Sequence, residues 1–375
     1  MLDNVRDIAV SIVIPCLNEE KTLSQVIRDA RESFSGVTPF EIVVADNGST
    51  DRSLEIAKDM GVRVVEVPNR GYGFALRGGF DYARGEFVLF GDGDNSYDFK
   101  EGPKLVSEIV RENVDMVIGT RLKGGLQRGA MPLLHRHVGT PVLTWLLNLL
   151  FRLRLSDCNS GFRVLRRKSL EKWRLSSTGM EFASELIIQC VKEGQQIREV
   201  PIHFRKTDRK SHLKPWRDGM RHLLFILSRA PHGFTYSGLT LFLFSLLMMV
   251  LATLFGPTRF GRYHLLDYHT MIICNLLGLF GSQCLVYGLL LDMRSKFPLA
   301  IHSGLLAIRE TTLLKILLVV SLASLSVIVF LSGMWVVRGY RDLNYLRLSL
   351  MVLYFCSTLG SLTMGIFAAH IYKRL

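Results

Sequence analysis

Charge is missing from four long stretches of this chain. Residues 230–258, 268–291, 316–337 and 348–372 contain no Asp, Glu, Lys or Arg over 29, 24, 22 and 25 positions. Each exceeds the roughly 20 apolar residues needed to cross a bilayer, so an exclusively soluble protein is excluded and four membrane helices are expected. Cysteine is also scarce. The six that occur (Cys16, Cys158, Cys190, Cys274, Cys284, Cys356) share no metal-ligand spacing, which argues against a zinc site or a disulfide scaffold and for reduced packing residues. A secretory leader is not visible, because the apolar stretch 9–15 is short and lacks a basic run before it. With 49% hydrophobic residues the chain is not disordered.

What is present is distributed unevenly along the 375 residues. The net charge is +13, yet residues 1–120 hold 13 basic and 21 acidic side chains, residues 121–232 hold 22 and 8, and the rest hold 11 and 4. The acidic first part argues against nucleic acid as a partner. A basic segment directly before membrane helices instead points to anionic headgroups or a phosphorylated lipid. The organisation expected is a domain over 1–210, a juxtamembrane segment over 211–232 and a four-helix membrane domain over 233–375. If both termini face the cytoplasm, the inner flanks carry 14 basic residues and the outer loops five (Arg259, Arg262, Arg338, Arg341, Arg347). That bias predicts a multi-pass protein of the cell membrane with its first domain on the cytoplasmic side.

Within the first 120 residues, short β-branched runs at 9–14, 41–45, 63–67, 86–90 and 115–118 alternate with helical spacing at 20–33, 51–60, 72–83 and 102–112. Such alternation predicts an α/β fold with a doubly wound, parallel sheet. Ligands of these sheets gather beyond the carboxyl ends of the strands. The polar clusters that follow the strands are Pro15-Cys16-Leu17-Asn18-Glu19, Asp46-Asn47-Gly48-Ser49-Thr50-Asp51, Asp92-Gly93-Asp94-Asn95 and Gly119-Thr120-Arg121. Asp92 and Asp94 carry the clearest chemistry. Two carboxylates one residue apart at a strand end repel unless a cation lies between them, and Mg²⁺ or Mn²⁺ suits such oxygen ligands. Gly-Asp-Gly-Asp-Asn is also good turn chemistry, which is the competing account.

The motifs Val13-Ile14-Pro15-Cys16-Leu17-Asn18-Glu19-Glu20, Val44-Ala45-Asp46-Asn47-Gly48-Ser49-Thr50-Asp51 and Asp92-Gly93-Asp94 resemble, in order and spacing, the nucleotide-sugar half of family-2 glycosyltransferases with the GT-A (Rossmann-like) fold. The resemblance covers roughly residues 9–210. Asp157-Cys158-Asn159-Ser160-Gly161-Phe162-Arg163 and Glu199-Val200-Pro201-Ile202 resemble the subgroup making polyprenyl-phosphate sugars, the dolichyl-phosphate mannose synthase and undecaprenyl-phosphate glucosyltransferase type. That resemblance implies a nucleotide-sugar donor bound by Pro15, Leu17, Asn18, Glu19, Asp46, Asn47, Gly73 and Asp92. It implies a divalent metal on Asp92 and Asp94. Many relatives have Asp where this chain has Asn47, and the mannose synthases have a Gln metal ligand where this chain has Ser96, which makes Ser96 the third candidate ligand.

For the acceptor, the resemblance implies Arg121, Arg136 and Arg205 or Lys206. A phosphate monoester has its second pKa near ~6 and is mostly an oxyanion at neutral pH, so no general base is required. Positioning by cations and neutralisation of the leaving diphosphate are. Asp94, Arg121, Arg136 and Lys206 are accordingly the residues expected to carry catalysis.

Further features have two readings each. Gly71-Tyr72-Gly73-Phe74-Ala75-Leu76-Arg77-Gly78-Gly79 lacks the spacing of the dinucleotide fingerprint; its glycines admit either a close nucleotide or close helix–sheet packing. Leu213, Trp216, Met220, Leu223, Leu224 and Leu227 recur at helical spacing beside Lys214, Arg217 and Arg221, as in an interfacial amphipathic helix or, alternatively, a core helix. Gln195-Gln196-Ile197-Arg198-Glu199 only partly imitates a signature of processive synthases and reads as a turn entering an edge strand. Glu185 is either structural or near the site.

These readings converge on a membrane-bound, metal-dependent, inverting transferase that moves a hexose from a UDP- or GDP-sugar to polyprenyl phosphate. The rivals are a transferase acting on another lipid or glycan of the cell envelope, and a non-catalytic lipid-binding subunit. The sequence is compatible with a single working chain and with a homo-oligomer.

Overall fold

The computed structural model describes residues 9–207, 215–260, 263–293, 299–337 and 346–374, in two compact units, Met1–Ile226 and Leu227–Leu375. The expected boundary at 210/211, and Leu213 and Lys214 of the expected amphipathic segment, lie outside the described residues, as do Arg262, Arg338 and Arg341 of the flanking loops.

The first unit runs β1 (Val10–Cys16), α1 (Leu23–Phe34), β2 (Phe40–Asp46), α2 (Ser53–Asp59), β3 (Arg63–Glu66), α3 (Tyr72–Tyr82), β4 (Phe87–Phe90), α4 (Gly102–Arg111), β5 (Met116–Thr120), α5 (Thr140–Phe151), β6 (Arg163–Arg166), the short α6 (Arg167–Leu170), α7 (Phe182–Lys192), β7 (Ile197–Pro201) and α8 (Pro215–Ser228). Every residue of β1 is buried, which explains its unbroken apolar run: a central strand is covered on both faces. The helix α1 buries Leu23, Val26, Ile27, Ala30 and Phe34, one stripe at helical spacing.

The strand order is β3-β2-β1-β4-β6-β5-β7. The pairings β2 with β1, β2 with β3, β1 with β4 and β5 with β7 are parallel. The expected all-parallel sheet is corrected at one place: β6 is inserted antiparallel between β4 and β5. The turn that precedes β6, residues 157–162, lies at the carboxyl edge of the sheet, with Gly161 against Asp92. A strand starting there has to run back toward the opposite edge. As expected, 197–201 forms an edge strand.

Helix α8 is amphipathic in a particular way. His222 and Ile226 are buried, whereas Arg217, Met220, Arg221 and Leu224 are exposed. Within the first unit its polar side is anchored: His222 Nε2 and Ser184 Oγ share a hydrogen bond of 2.6 Å, and Arg221 Nη2 lies 2.9 Å from Glu181 Oε1.

The second unit holds α9 (Pro231–Phe255), a β8–β9 hairpin (Thr258–Phe260 and Tyr263–Leu265), α10 (Tyr268–Asp292), α11 (Ala300–Leu306), α12 (Glu310–Val337) and α13 (Leu346–Arg374). Four of these helices contain segments of 25 to 27 residues long and apolar enough to span a membrane. Small residues let α9 and α10 touch: a Cβ on Gly238 would lie 2.7 Å from the Gly281 carbonyl oxygen, and one on Gly281 2.9 Å from that of Gly238. His302, fully buried, bridges Asp292 (2.7 Å) and Thr235 (2.9 Å), so these three polar groups satisfy one another.

Candidate active site

The parallel strands β1, β2, β4 and β5 all end at one edge, and the polar clusters after them interlock there. The N–H of Asn18 donates to Ser49 Oγ (3.0 Å), that of Glu19 to Ser53 Oγ (2.7 Å) and that of Thr50 to Asn18 Oδ1 (2.8 Å). Asn18 accepts a positive φ of 58° to do so, a conformation that asparagine tolerates better than most residues. Thr22 Oγ1 donates to the Gly93 carbonyl at 2.8 Å, joining the β1 loop to the aspartate turn after β4. Pro15, Glu19 and Asp46 are buried, Leu17 is partly buried and Asn18 exposed.

Asp46 Oδ2 accepts from the N–H groups of Gly48 and Ser49 at 3.1 and 3.2 Å. Its Oδ1 is buried without a hydrogen-bond partner among the described residues, as is Ser177 Oγ. An unsatisfied buried acceptor costs about 1–3 kcal/mol, and more if charged, so Asp46 Oδ1 fits a ligand N–H.

Asn47 is bonded to a neighbouring loop. Its Nδ2 donates to the carbonyls of Asn69 (2.7 Å) and Val67 (3.3 Å), and its Oδ1 accepts from Gly71 N–H at 2.7 Å. The side chain therefore ties β2 to the loop between β3 and α3. An aspartate could not donate to those carbonyls, which accounts for the amide here. Gly73 packs closely as well. A Cβ on it would lie 2.4 Å from the Ser177 carbonyl oxygen, and its N–H donates to the Thr178 carbonyl at 3.0 Å. Gly71 has φ +146° and would meet the Thr178 carbonyl at 2.3 Å.

At the end of β4, Asp92 Oδ1 accepts from the Tyr72 hydroxyl (3.1 Å) and Asp94 Oδ1 from Ser96 N–H (3.0 Å). The turn reading of Asp94 and the ligand reading are thus compatible, since one oxygen forms the turn. Among the described residues no group of three or more His, Cys, Asp or Glu is gathered for a metal. Two carboxylates together with diphosphate oxygens form the donor set that suits Mg²⁺, so the residues fit such an ion. Ser96 is buried next to this turn. Tyr72 carries no signal of its own in the sequence, since its partner Asp92 lies 20 residues on.

The basic candidates separate. Arg121 is buried, with Nε 2.7 Å from Asp157 Oδ2, Nη2 2.9 Å from Asp157 Oδ1, and the Phe204 ring 5.1 Å away. Burial alone would raise the Asp157 carboxyl, but the Arg121 charge and hydrogen bonds outweigh it and hold it below the usual carboxylate range. Arg205 bonds Asn95 Oδ1 (3.2 Å) and pairs with Asp98, which places it beside the aspartate turn in a cleft of about 470 Å³ with Gln127, His203 and Phe204. Lys206 is exposed. Arg136 is exposed on the π-helical turn His135–Gly139. Glu185, fully buried, is structural: its carboxylate accepts from the N–H groups of Ser176 (3.0 Å) and Ser177 (2.8 Å). All six cysteines are free, and burial pushes the thiols of Cys16 and Cys158 up to about 11, consistent with inert packing.

Residues 11–174 match the model of glycosyl transferase family 2. The chain is 39% identical over 285 residues to the low-salt glycan biosynthesis hexosyltransferase Agl6 of Haloferax volcanii, covering 74% of this chain and 67% of that protein. It is 31% identical to glycosyltransferase AglJ of the same organism over 76% of this chain and 93% of that protein. A dolichyl-phosphate hexose transferase of that organism is 31% identical over 56% and 89%. Glucosyl-3-phosphoglycerate synthase of Mycobacterium tuberculosis, solved with Mn²⁺, UDP and phosphoglyceric acid, has the same fold with a TM-score of 0.50 at 24% identity, over 59% of this chain and 78% of that one. The first unit has the GT-A fold, and the chain belongs to the family-2 glycosyltransferases.

Proposed function

We propose that the protein is an inverting hexosyltransferase that uses a nucleotide sugar and a polyprenyl phosphate acceptor at the membrane surface. The observation that carries the acceptor is an apolar stripe on the first unit. Leu134, Val138, Val142, Trp145 and Leu149 recur at helical spacing along the π turn and α5, and all are exposed, Trp145 by 62% and Leu149 by 60%. Arg136 lies within this stretch. An exposed apolar face suits a bilayer surface, and Arg136, exposed on another side of the same turn, adds a cation for lipid phosphates. The four membrane-length helices support this placement, and the basic bias of the flanks supports a cytoplasmic first unit. The dolichyl-phosphate hexose transferase among the relatives supports the acceptor class.

On the donor side, Asp46 would bind an N–H of the base through Oδ1, and Pro15, Leu17, Asn18 and Glu19 would enclose the nucleoside. Asp92 and Asp94, with Ser96 beside them, would hold a Mg²⁺ or Mn²⁺ ion, which when bound neutralises the leaving diphosphate. Arg205 and Lys206 would draw the acceptor phosphate toward the aspartate turn, Arg136 would bind it at the membrane surface, and Arg121 would add positive potential from its place beside Asp157. The phosphate oxygen attacks the anomeric carbon opposite the nucleoside diphosphate, the new C–O bond forming as the old one breaks. The acceptor is already ionised, so no carboxylate base takes a proton.

The test uses the full-length protein in detergent with Mg²⁺ or Mn²⁺, radiolabelled UDP- and GDP-sugars, and dolichyl or undecaprenyl phosphate. Label entering the organic phase with one donor supports the proposal. A protein that binds a nucleotide sugar with metal yet labels neither lipid has another acceptor.

A further inference from the structure

The loop 176–181 joins three parts of the first unit. Glu185 holds the N–H groups of Ser176 and Ser177 from below. The carbonyls of Ser177 and Thr178 press on Gly71 and Gly73, where no side chain fits, and Thr178 accepts the Gly73 N–H. From α8, Arg221 Nη2 reaches both Glu181 Oε1 (2.9 Å) and Thr178 Oγ1 (3.2 Å), while Glu181 Oε1 also accepts the Gly179 N–H at 3.2 Å. The start of α3 is thereby seated by a loop that α8 clamps. Tyr72, between the two glycines, then places its hydroxyl on Asp92 Oδ1. A Cβ on Gly161 would lie 3.1 Å from both that hydroxyl and Asp92 Oδ2, so the carboxylate and the phenol are packed into one fixed arrangement.

We infer that Tyr72 is a positioning residue for Asp92, and that Arg221 of α8, through the 176–181 loop, sets where Tyr72 sits. A hydrogen bond at one carboxylate oxygen, together with the packing of Gly161, restricts rotation of the group and biases the direction in which its oxygens point. Partners of this kind around metal-ligating carboxylates change metal affinity by roughly 10- to 100-fold when removed. In the sequence α8 is followed, two residues on, by α9, the first membrane-length helix. The inference rests on the reading of Asp92 as a metal-holding group.

The experiment measures Mn²⁺ affinity of the full-length protein by the electron paramagnetic resonance signal of free Mn²⁺, with UDP and with GDP in parallel. Wild type is compared with Tyr72→Phe, Arg221→Met, the double variant, and Arg221→Lys as the conservative control. Tyr72→Phe keeps the ring and its packing. The expected result is a loss of roughly 10-fold in affinity for Tyr72→Phe, a smaller loss for Arg221→Met, partial recovery in Arg221→Lys, and a double variant no weaker than Tyr72→Phe, the non-additivity of groups acting in series. Thermal midpoints within a few degrees of wild type confirm that folding is not what changed. If wild type binds Mn²⁺ and Tyr72→Phe binds it equally, the positioning role is overturned and the metal reading stands. If Tyr72→Phe weakens binding but Arg221→Met does not, or the losses simply add, the link through α8 is overturned. If wild type binds no Mn²⁺ with either nucleotide, the metal reading falls and the inference with it.

Discussion

Arg121 and Asp157 form a buried fork, Nε to Oδ2 at 2.7 Å and Nη2 to Oδ1 at 2.9 Å, with the Arg121 backbone N–H also directed at Oδ2 at 3.3 Å. Lysine cannot reproduce two parallel bonds, so Arg121→Lys should lower stability as well as activity. Asp157→Asn leaves a buried guanidinium without its counter-charge, a change that costs about 3–5 kcal/mol in such settings. The Asp157 carboxyl is held below its usual range. Its contribution is therefore complete above the unfolded-state value, near ~4, and lost as pH falls through the folded-state value. Thermal midpoints of wild type and Asp157→Asn at pH 7, 5 and 3 should converge at the acid end; a constant gap would contradict the fork as the source.

Substitution at the aspartate turn separates charge from shape. Asn at position 94 keeps an oxygen for the Ser96 N–H, so Asp94→Asn should fold with an unchanged thermal midpoint and lose transferase activity by on the order of 100-fold or more. EDTA should have the same effect on wild type, reversed by Mg²⁺ or Mn²⁺. Activity that survives both treatments would remove the metal from the reaction.

The hold of α8 on the first unit should depend on pH. His222 is buried against Ser184, and burial pushes it down to about 4, with Glu181 opposing that shift and Arg163 adding to it. An unfolded or detached helix takes up a proton near the ordinary value of ~6.5, while the docked one does not. Docking is therefore at full strength above about 6.5 and weakens as pH falls toward 4. Limited proteolysis of α8 should accelerate across that window in wild type and not in His222→Gln.

The parts of this architecture that could be read from sequence are those whose signal is local. The runs at 9–14 and 41–45 announce β1 and β2 because central strands are continuously apolar. Asp92 and Asp94 stand out because they are one residue apart. What escaped was non-local: β6 is four residues long and framed by Arg163 and Arg166, so charge disguises a strand that is defined by its partners β4 and β5. The three bonds of Asn47 go to positions 20 to 24 residues away, beyond the reach of any local pattern. Tyr72 acquires its role from Asp92, 20 residues on.

Arg163 shows how a motif can be visible while its purpose is not. It ends the stretch 157–163 that resembles the lipid-phosphate subgroup, yet it is wholly buried and faces no carboxylate bond partner among the described residues. Its Nε donates to the Ser160 carbonyl (2.8 Å), Nη1 to Ala183 (2.7 Å) and Nη2 to Cys158 (2.8 Å). The guanidinium thus closes the turn that carries Asp157 and Gly161, and pins it to α7. Arg163→Met would strand three carbonyls, each at about 1–3 kcal/mol, enough to unfold a unit of ordinary stability. Arg163→Lys keeps the charge but cannot span three acceptors in a plane, so it should yield folded protein with a lowered thermal midpoint. Its activity should fall further than stability alone accounts for, because Gly161 packs on Asp92. Activity measured well below the midpoint distinguishes the two effects: full recovery there would make Arg163 purely a stabilising residue, and a persistent deficit would tie the turn to the geometry of the aspartates.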